Sequence, residues 1–126
     1  MSEAPSSSPA LAVNGLDAGY GRKQVVHGVD LALGEREVLL MLGHNGAGKT
    51  TLVRTVFGLL PPMGGTVLYR GQPITGRSPA ENVRDGIAFV PQGHGIFRSL
   101  TVRANLDLGA FSVTDKSVLP ERLETI

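Results

Sequence analysis

Glu37-Val38-Leu39-Leu40-Met41-Leu42-Gly43-His44-Asn45-Gly46-Ala47-Gly48-Lys49-Thr50-Thr51-Leu52-Val53-Arg54-Thr55-Val56-Phe57-Gly58-Leu59-Leu60 is the stretch on which the reading of this chain turns. Its first six residues are apolar on both faces after Glu37, the pattern of a strand buried inside a parallel sheet. Leu52, Val53, Val56 and Leu59-Leu60 recur at helical spacing and predict a helix with one buried face, starting near Gly48-Lys49-Thr50 and stopped by Gly58 and Pro61-Pro62. Between strand and helix lies Gly43-His44-Asn45-Gly46-Ala47-Gly48-Lys49-Thr50, which satisfies G-x-x-x-x-G-K-T in the strand–turn–helix setting that this spacing requires. The physics is that of an anion cradle. Backbone amides at a helix N-terminus point outward, and the helix dipole favours negative charge there. Gly43, Gly46 and Gly48 let the loop curl tightly around a phosphate. Lys49 brings a mobile positive charge, and Thr50 offers a hydroxyl to a Mg²⁺ ion that takes its other oxygens from water and phosphate. A match by chance alone arises on the order of once in a few hundred chains of this size.

Outward from that stretch, residues 1–10 are rich in Ser and Pro and read as a flexible tail. Leu11-Ala12-Val13 opens a short strand ending near Gly15, Gly19-Tyr20-Gly21-Arg22 is a turn, and Val25 to Leu33 forms a second strand with Val25, Val29, Leu31 and Leu33 on one face. Past the helix, Gly64-Gly65 turns the chain into a strand at Thr66-Val67-Leu68-Tyr69, followed by a short extended piece at Pro73-Ile74. Ser78 and Pro79 fit the N-cap and first position of a helix running to about Asp85, which Gly86 ends. Ile87-Ala88-Phe89-Val90 predicts another buried strand, closed by Pro91. Thr101 caps a two-turn helix through Leu108, and Pro120 begins a last helical segment. There are no repeats.

Composition narrows the function classes. The chain has 126 residues, 41% hydrophobic and 18% charged, which fits one globular domain. Aromatics make up 5% and Trp is absent, so the core must be built from Val, Leu and Ile. Twelve basic and eleven acidic residues leave a net charge of +1, no footprint for nucleic acid or an anionic membrane. No cysteine is present, and His27, His44 and His94 lack metal-ligand spacing. The longest apolar run, Val38 to Leu42, is far short of the ~20 residues that span a bilayer, and the first residues lack the basic flank and apolar segment of a secretory signal.

The loop with its following Thr51, read as Asn-Gly-Ala-Gly-Lys and two hydroxyl residues, resembles the Walker A motif of the ATP-binding subunits of ABC transporters. Tyr20 stands where that family places an aromatic residue that stacks on adenine. Val90-Pro91-Gln92 resembles its Q-loop, whose glutamine reaches the metal and the γ-phosphate side, and Leu100 to Leu106 resembles the start of its helical subdomain. Gly58 to Pro62 and Val90 to Phe97 look like the branched-chain amino acid and urea/amide importer group. The resemblance covers residues 11 to about 111 as the N-terminal part of an ATP-binding domain, with 112–126 as a further, truncated segment. It implies an α/β fold, a P-loop NTPase core with an antiparallel β subdomain, incomplete in this chain.

By that resemblance Tyr20, Gly43, His44, Asn45, Gly46, Ala47, Gly48, Lys49, Thr50, Thr51 and Gln92 bind nucleotide, Thr50 and Gln92 contact the metal, and the ligands are ATP and Mg²⁺. The implied partners are transmembrane permease subunits and a second ATP-binding subunit, on the inner face of the cell membrane, with no nucleic acid and no membrane insertion. Each role has a plainer competitor. Tyr20 can be an ordinary turn aromatic, Gln92 can cap the loop after its strand, Ile96 and Phe97 fit a subdomain core as well as a partner-facing surface, and His44 and Asn45 can shape the loop or face solvent. Two positions depart from the family pattern, Arg36 where glycine usually precedes the strand and His94 where near relatives carry arginine.

The sequence does not contain the family's Leu-Ser-Gly-Gly-Gln signature, its Walker B strand with Asp and catalytic Glu, or its switch His. The chain therefore resembles the N-terminal portion of such a subunit. It is an ATPase by resemblance that lacks the hydrolytic half of the site, and a positioned base contributes typically ~10²–10⁴-fold. Weak turnover and an apolar, partnerless pair of strands at Val38–Leu42 and Ile87–Val90 are expected, with poor solubility or molten behaviour. A non-transport ABC ATPase fragment and a non-hydrolytic nucleotide-binding fragment are the alternatives. A P-loop kinase or GTPase fits worse, because no Asn-Lys-x-Asp is present.

Overall fold

In the computed structural model, residues 8–44, 46–93, 95–111 and 115–125 are described, so Asn45, His94, most of the expected N-terminal tail and the start of the 112–126 segment lie outside them. The chain divides into two compact units, one reaching Asn82 and the other starting at Val83.

The first unit is built on one antiparallel sheet. Strand β1 (Leu11–Tyr20) pairs on one side with β2 (Lys23–Leu33) and on the other with β3 (Gly64–Tyr69), which carries the two-residue β4 (Gln72–Pro73) at its far edge. Pairing runs from Leu11↔Leu33 to Tyr20↔Lys23, so β1 continues well beyond Gly15, and the turn is confined to Gly21-Arg22. The expected break at Gly15 is a β-bulge. Val13, Leu16 and Ala18 are all buried, a sequence that skips one residue between odd and even positions. The bulge absorbs the extra residue and returns the apolar side chains to the core face. Two aspartates fix the irregularities reciprocally. Gly15 N–H donates to Asp30 Oδ1 at 2.6 Å, and Gly28 N–H donates to Asp17 Oδ1 at 2.8 Å. On β2 the buried residue is Val26 rather than its neighbour Val25, for the same loss of parity at Gly28.

Helix α1 (Lys49–Phe57) packs on this sheet, and Gly58 ends it in a left-handed conformation with φ 97°. A Cβ at Gly58 would stand 2.2 Å from the Arg77 carbonyl, so glycine there allows the loop before α2 (Pro79–Arg84) to close over the helix end. Asn82, fully buried, seals the contact by donating from Nδ2 to the Phe57 carbonyl at 2.7 Å. The buried face of α1 is Thr51, Leu52 and Thr55, while Val53 and Val56 are half-buried and Leu59 is exposed. Thr55 is tolerated because its hydroxyl donates to the Thr51 carbonyl at 2.7 Å one turn back. Helix α2 starts as expected, with Ser78 and Glu81 exchanging hydrogen bonds at 2.9 and 3.3 Å in a capping box.

Two expected strands are corrected. Residues 37–42 and 87–90 are not in a ladder, and Val38 is 96% and Val90 84% exposed. A segment apolar on both faces is buried only when strands flank it and layers cover it. The four described strands form a separate antiparallel sheet, and they offer these segments no ladder partner.

In the second unit, Thr101 Oγ1 caps helix α3 (Val102–Gly109) by accepting from Ala104 N–H at 3.0 Å. Asn105 pins the preceding loop, accepting from Phe97 N–H at 2.8 Å and donating to the Thr101 carbonyl at 2.8 Å. A 3₁₀ turn at Lys116–Val118 leads into α4 (Leu119–Glu124).

Candidate phosphate-binding site

The loop after residue 42 tightens in two steps. Ala47 N–H donates to the His44 carbonyl at 3.1 Å, and Leu52 N–H makes the first helical bond to Gly48 at 2.8 Å. Gly48 is the N-cap residue of α1, with φ 99° and no side-chain cap. The first-turn amides of an α-helix have no intrahelical partner, so at this end they face outward without a protein acceptor supplied by a cap. No acidic residue lies in the first turn of α1, and its last turn carries Arg54, a charge order that suits the helix dipole and an anion at the N-terminus.

Gly48 is also where the loop meets the sheet. A Cβ there would lie 3.3 Å from Val26 Cγ2 and 3.4 Å from both Val25 Cγ1 and the Val25 carbonyl. The start of the helix is thereby seated directly on β2. Lys49 bends back so that its Nζ donates to the Gly43 carbonyl, placing the ammonium across the mouth of the loop. Gly43, His44, Gly46, Ala47 and Thr50 are exposed, and Gly48 and Lys49 are half-buried.

Tyr20 meets α1 at Thr51 and Arg54. It ends β1, its backbone held by pairing with Lys23, and its ring is 46% exposed. The phenol oxygen accepts from Thr51 Oγ1 at 3.4 Å and from Arg54 Nη1 at 3.5 Å. Those two hydrogen bonds, Thr51 first and then Arg54, hold the Tyr20 phenol below the ordinary tyrosine pKa; burial opposes them, and the Arg54 charge adds to them. The structure thus brings Tyr20, Gly43, His44, Gly46, Ala47, Gly48, Lys49, Thr50 and Thr51 into the first unit, on the loop, the start of α1 and the adjoining hairpin end. Asn45 lies outside the described residues. Gln92 belongs to the second unit, exposed in a bend after Pro91. Sequence reasoning missed Arg54, Thr55 and Asn82. Helical spacing from Thr51 would have flagged Arg54 and Thr55, whereas nothing local to Asn82 points at the end of α1.

Known proteins share the sequence and fold of this chain. The family model described as ABC transporter matches residues 26–125. The chain is 35% identical over 109 residues to the probable branched-chain amino acid transport ATP-binding protein LivF of Archaeoglobus fulgidus, covering 86% of this chain and 46% of that protein. It is 38% identical over 97 residues to the high-affinity branched-chain amino acid transport ATP-binding protein BraG of Pseudomonas aeruginosa, covering 77% and 41%. It therefore spans less than half the length of these curated relatives. Among solved structures, cbiO1 from Clostridium perfringens, part of the ABC transporter complex cbiONQ, aligns with a TM-score of 0.77 at 27% identity, over 94% of this chain and 49% of that one. An ATP-binding subunit of an ABC transporter aligns with a TM-score of 0.76 at 27% identity, over 90% and 46%. By the match of the family model and the cassette fold of its structural neighbours, the chain belongs to the ABC transporter family, on the side of its ATP-binding cassettes.

Proposed function

We propose that the loop from Gly43 to Thr50 binds the triphosphate of MgATP, and that the chain acts in the ATP-binding subunit of an importer for branched-chain amino acids or related amides. The single observation that carries the first part is the uncapped N-terminus of α1, entered through left-handed Gly48 and crossed by Lys49. Exposed backbone donors, a dipole and a mobile ammonium converge on one loop, the combination that a polyphosphate satisfies. Thr50 contributes a hydroxyl to the metal. Mg²⁺ takes oxygen ligands and keeps several waters, which a hydroxyl and the nucleotide's own phosphates complement. The metal, when bound, neutralises phosphate charge. Tyr20 supplies an aromatic face for the adenine.

The importer reading rests on the names of the relatives, LivF and BraG among them. In it the partners are transmembrane permease subunits and a second ATP-binding subunit, and the chain works at the cytoplasmic face of the membrane. Among the described residues no helix is long and apolar enough to cross a membrane. For these 126 residues alone, nucleotide binding without appreciable turnover is expected, because the sequence contains no acidic pair closing an apolar strand.

Calorimetry with MgATP tests the binding claim. Charge-assisted hydrogen bonds contribute about 1.5–3 kcal/mol, so Lys49→Ala is expected to weaken binding by about ten- to a hundredfold. An unchanged dissociation constant in Lys49→Ala would remove the loop from the site.

A further inference from the structure

We propose that Arg54 is a positioning residue for the nucleobase, holding the Tyr20 ring at a fixed angle beside the phosphate loop through the phenol oxygen; this rests on the MgATP reading above. Tyr20 sits at the tip of a hairpin, with Gly21 and Arg22 forming the turn beyond it. Its backbone is anchored by the pairing with Lys23, while the residue is nearly half exposed. A stacking platform that must be ordered when the base arrives loses side-chain entropy at that moment. The restraint comes from α1. Thr51 Oγ1 and Arg54 Nη1 lie three residues apart on the helix, and both donate to the Tyr20 oxygen, at 3.4 and 3.5 Å.

The geometry joins two functions in one helix. Thr51 belongs to the same first turn that presents amides to phosphate, and it is 5% exposed, fixed against the sheet. Arg54, one turn on, is exposed. The guanidinium reaches the phenol rather than the loop, so its contribution is to the orientation of the ring and not to the charge that meets phosphate. Its loss is therefore felt by a ligand with a base and ignored by one without. The lowered phenol pKa agrees, since a donor pair aimed at the oxygen favours the phenolate.

The test compares MgATP with Mg-tripolyphosphate on the full chain carrying Arg54→Met, Arg54→Lys or Tyr20→Phe. Arg54→Met and Tyr20→Phe each remove hydrogen bonds to the phenol while keeping bulk, and each is expected to weaken ATP by about three- to tenfold and leave tripolyphosphate unchanged. Tyr20→Phe combined with Arg54→Met is expected to weaken ATP no further than Tyr20→Phe alone. Arg54→Lys should recover part of the loss. Alkaline titration of phenolate absorbance gives a readout that a packing role would not move, with Tyr20 ionising at higher pH in Arg54→Met than in the wild type. Equal weakening of both ligands by Arg54→Met would show that the arginine serves phosphate directly and overturn the proposal. So would unchanged ATP binding in that variant. A wild-type chain that binds neither ligand overturns the phosphate-binding reading itself, an outcome distinct from either of these.

Discussion

Replacing Gly48 with alanine separates the backbone demand of the phosphate loop from its packing demand. Gly48 has φ 99° and Gly46 has φ 90°, a region that side-chain-bearing residues occupy at a cost of roughly 1–2 kcal/mol. Both Gly→Ala changes incur that cost. Only Gly48 incurs a second one. The new methyl would stand 3.3 Å from Val26 Cγ2 and 3.4 Å from the Val25 carbonyl, whereas at Gly46 nothing lies within 4 Å. Val26 is buried in the core and the carbonyl belongs to a ladder strand, so neither yields freely, and overpacking of this kind costs about 1–3 kcal/mol. Together these give about 2–5 kcal/mol at Gly48 against about 1–2 kcal/mol at Gly46. The readout is local. Hydrogen exchange of the α1 amides should accelerate about fivefold or more in Gly48→Ala relative to Gly46→Ala, since the extra cost of about 1–3 kcal/mol acts at a factor of ten in opening per 1.4 kcal/mol. MgATP affinity should fall in the same order, because the first-turn donors move off β2 with the displaced helix start. Equal exchange rates in the two variants would refute the claim that α1 is seated on β2 through Gly48.

Three further outcomes follow from single sites. Arg36, at φ 61°, occupies a glycine conformation, and Arg36→Gly is expected to stabilise the turn by roughly 0.5 kcal/mol once the larger entropy of the unfolded glycine is deducted, read as slower exchange at the Glu37 amide, whose bond to Gly34 closes that turn. Asp115 has its carboxyl held below the ordinary carboxylate pKa by Ser117, first through the hydroxyl and then through the amide; the lock is therefore fully present above the ordinary pKa and is lost as pH falls through the lowered folded value, which exchange or NMR titration at Ser117 would report and Asp115→Asn would abolish. Val38, Leu40 and Leu42 are exposed, so threonine at all three is expected to reduce binding of a hydrophobic dye and self-association of the purified chain, with no loss of the β1–β2–β3 sheet by circular dichroism.

What the sequence made legible follows from how local each signal is. The phosphate loop was readable because its requirements are consecutive residues. Glycines, lysine and threonine at fixed offsets need no distant partner to be recognised, and helix α1 runs from Lys49 to Phe57, with α3 capped by Thr101. β1 was cut short because alternation is a parity argument, and the bulges between Val13 and Ala18 break parity while leaving the strand intact. The buried face of α1 was misjudged for another reason. Apolar residues were counted, but the helix meets the sheet with Thr51 and Thr55, whose small side chains let it approach and whose hydroxyls find partners at Tyr20 and the Thr51 carbonyl. The strands expected at 37–42 and 87–90 failed on neighbours, since a residue pattern states what a strand needs on its two sides and does not supply it.

Asn82 shows the same limit at one residue. Its amide nitrogen satisfies the Phe57 carbonyl at the C-terminal end of α1, while its Oδ1 is buried without a hydrogen-bond partner among the described residues. An unpaired buried acceptor costs about 1–3 kcal/mol, yet removing the side chain would strip the Phe57 carbonyl of the partner it has. Two opposing effects of similar size meet in one amide, so the choice of asparagine is explained by the helix end it closes and not by its own satisfaction. With Gly58 bending the chain away and Asn82 closing the last turn, the C-terminal end of α1 is fixed by side chains, whereas its N-terminal end has no side-chain cap. A helix held at one end and open at the other keeps its first-turn donors in place before any anion arrives, the preorganisation that the proposed phosphate-binding role of this eight-residue loop requires.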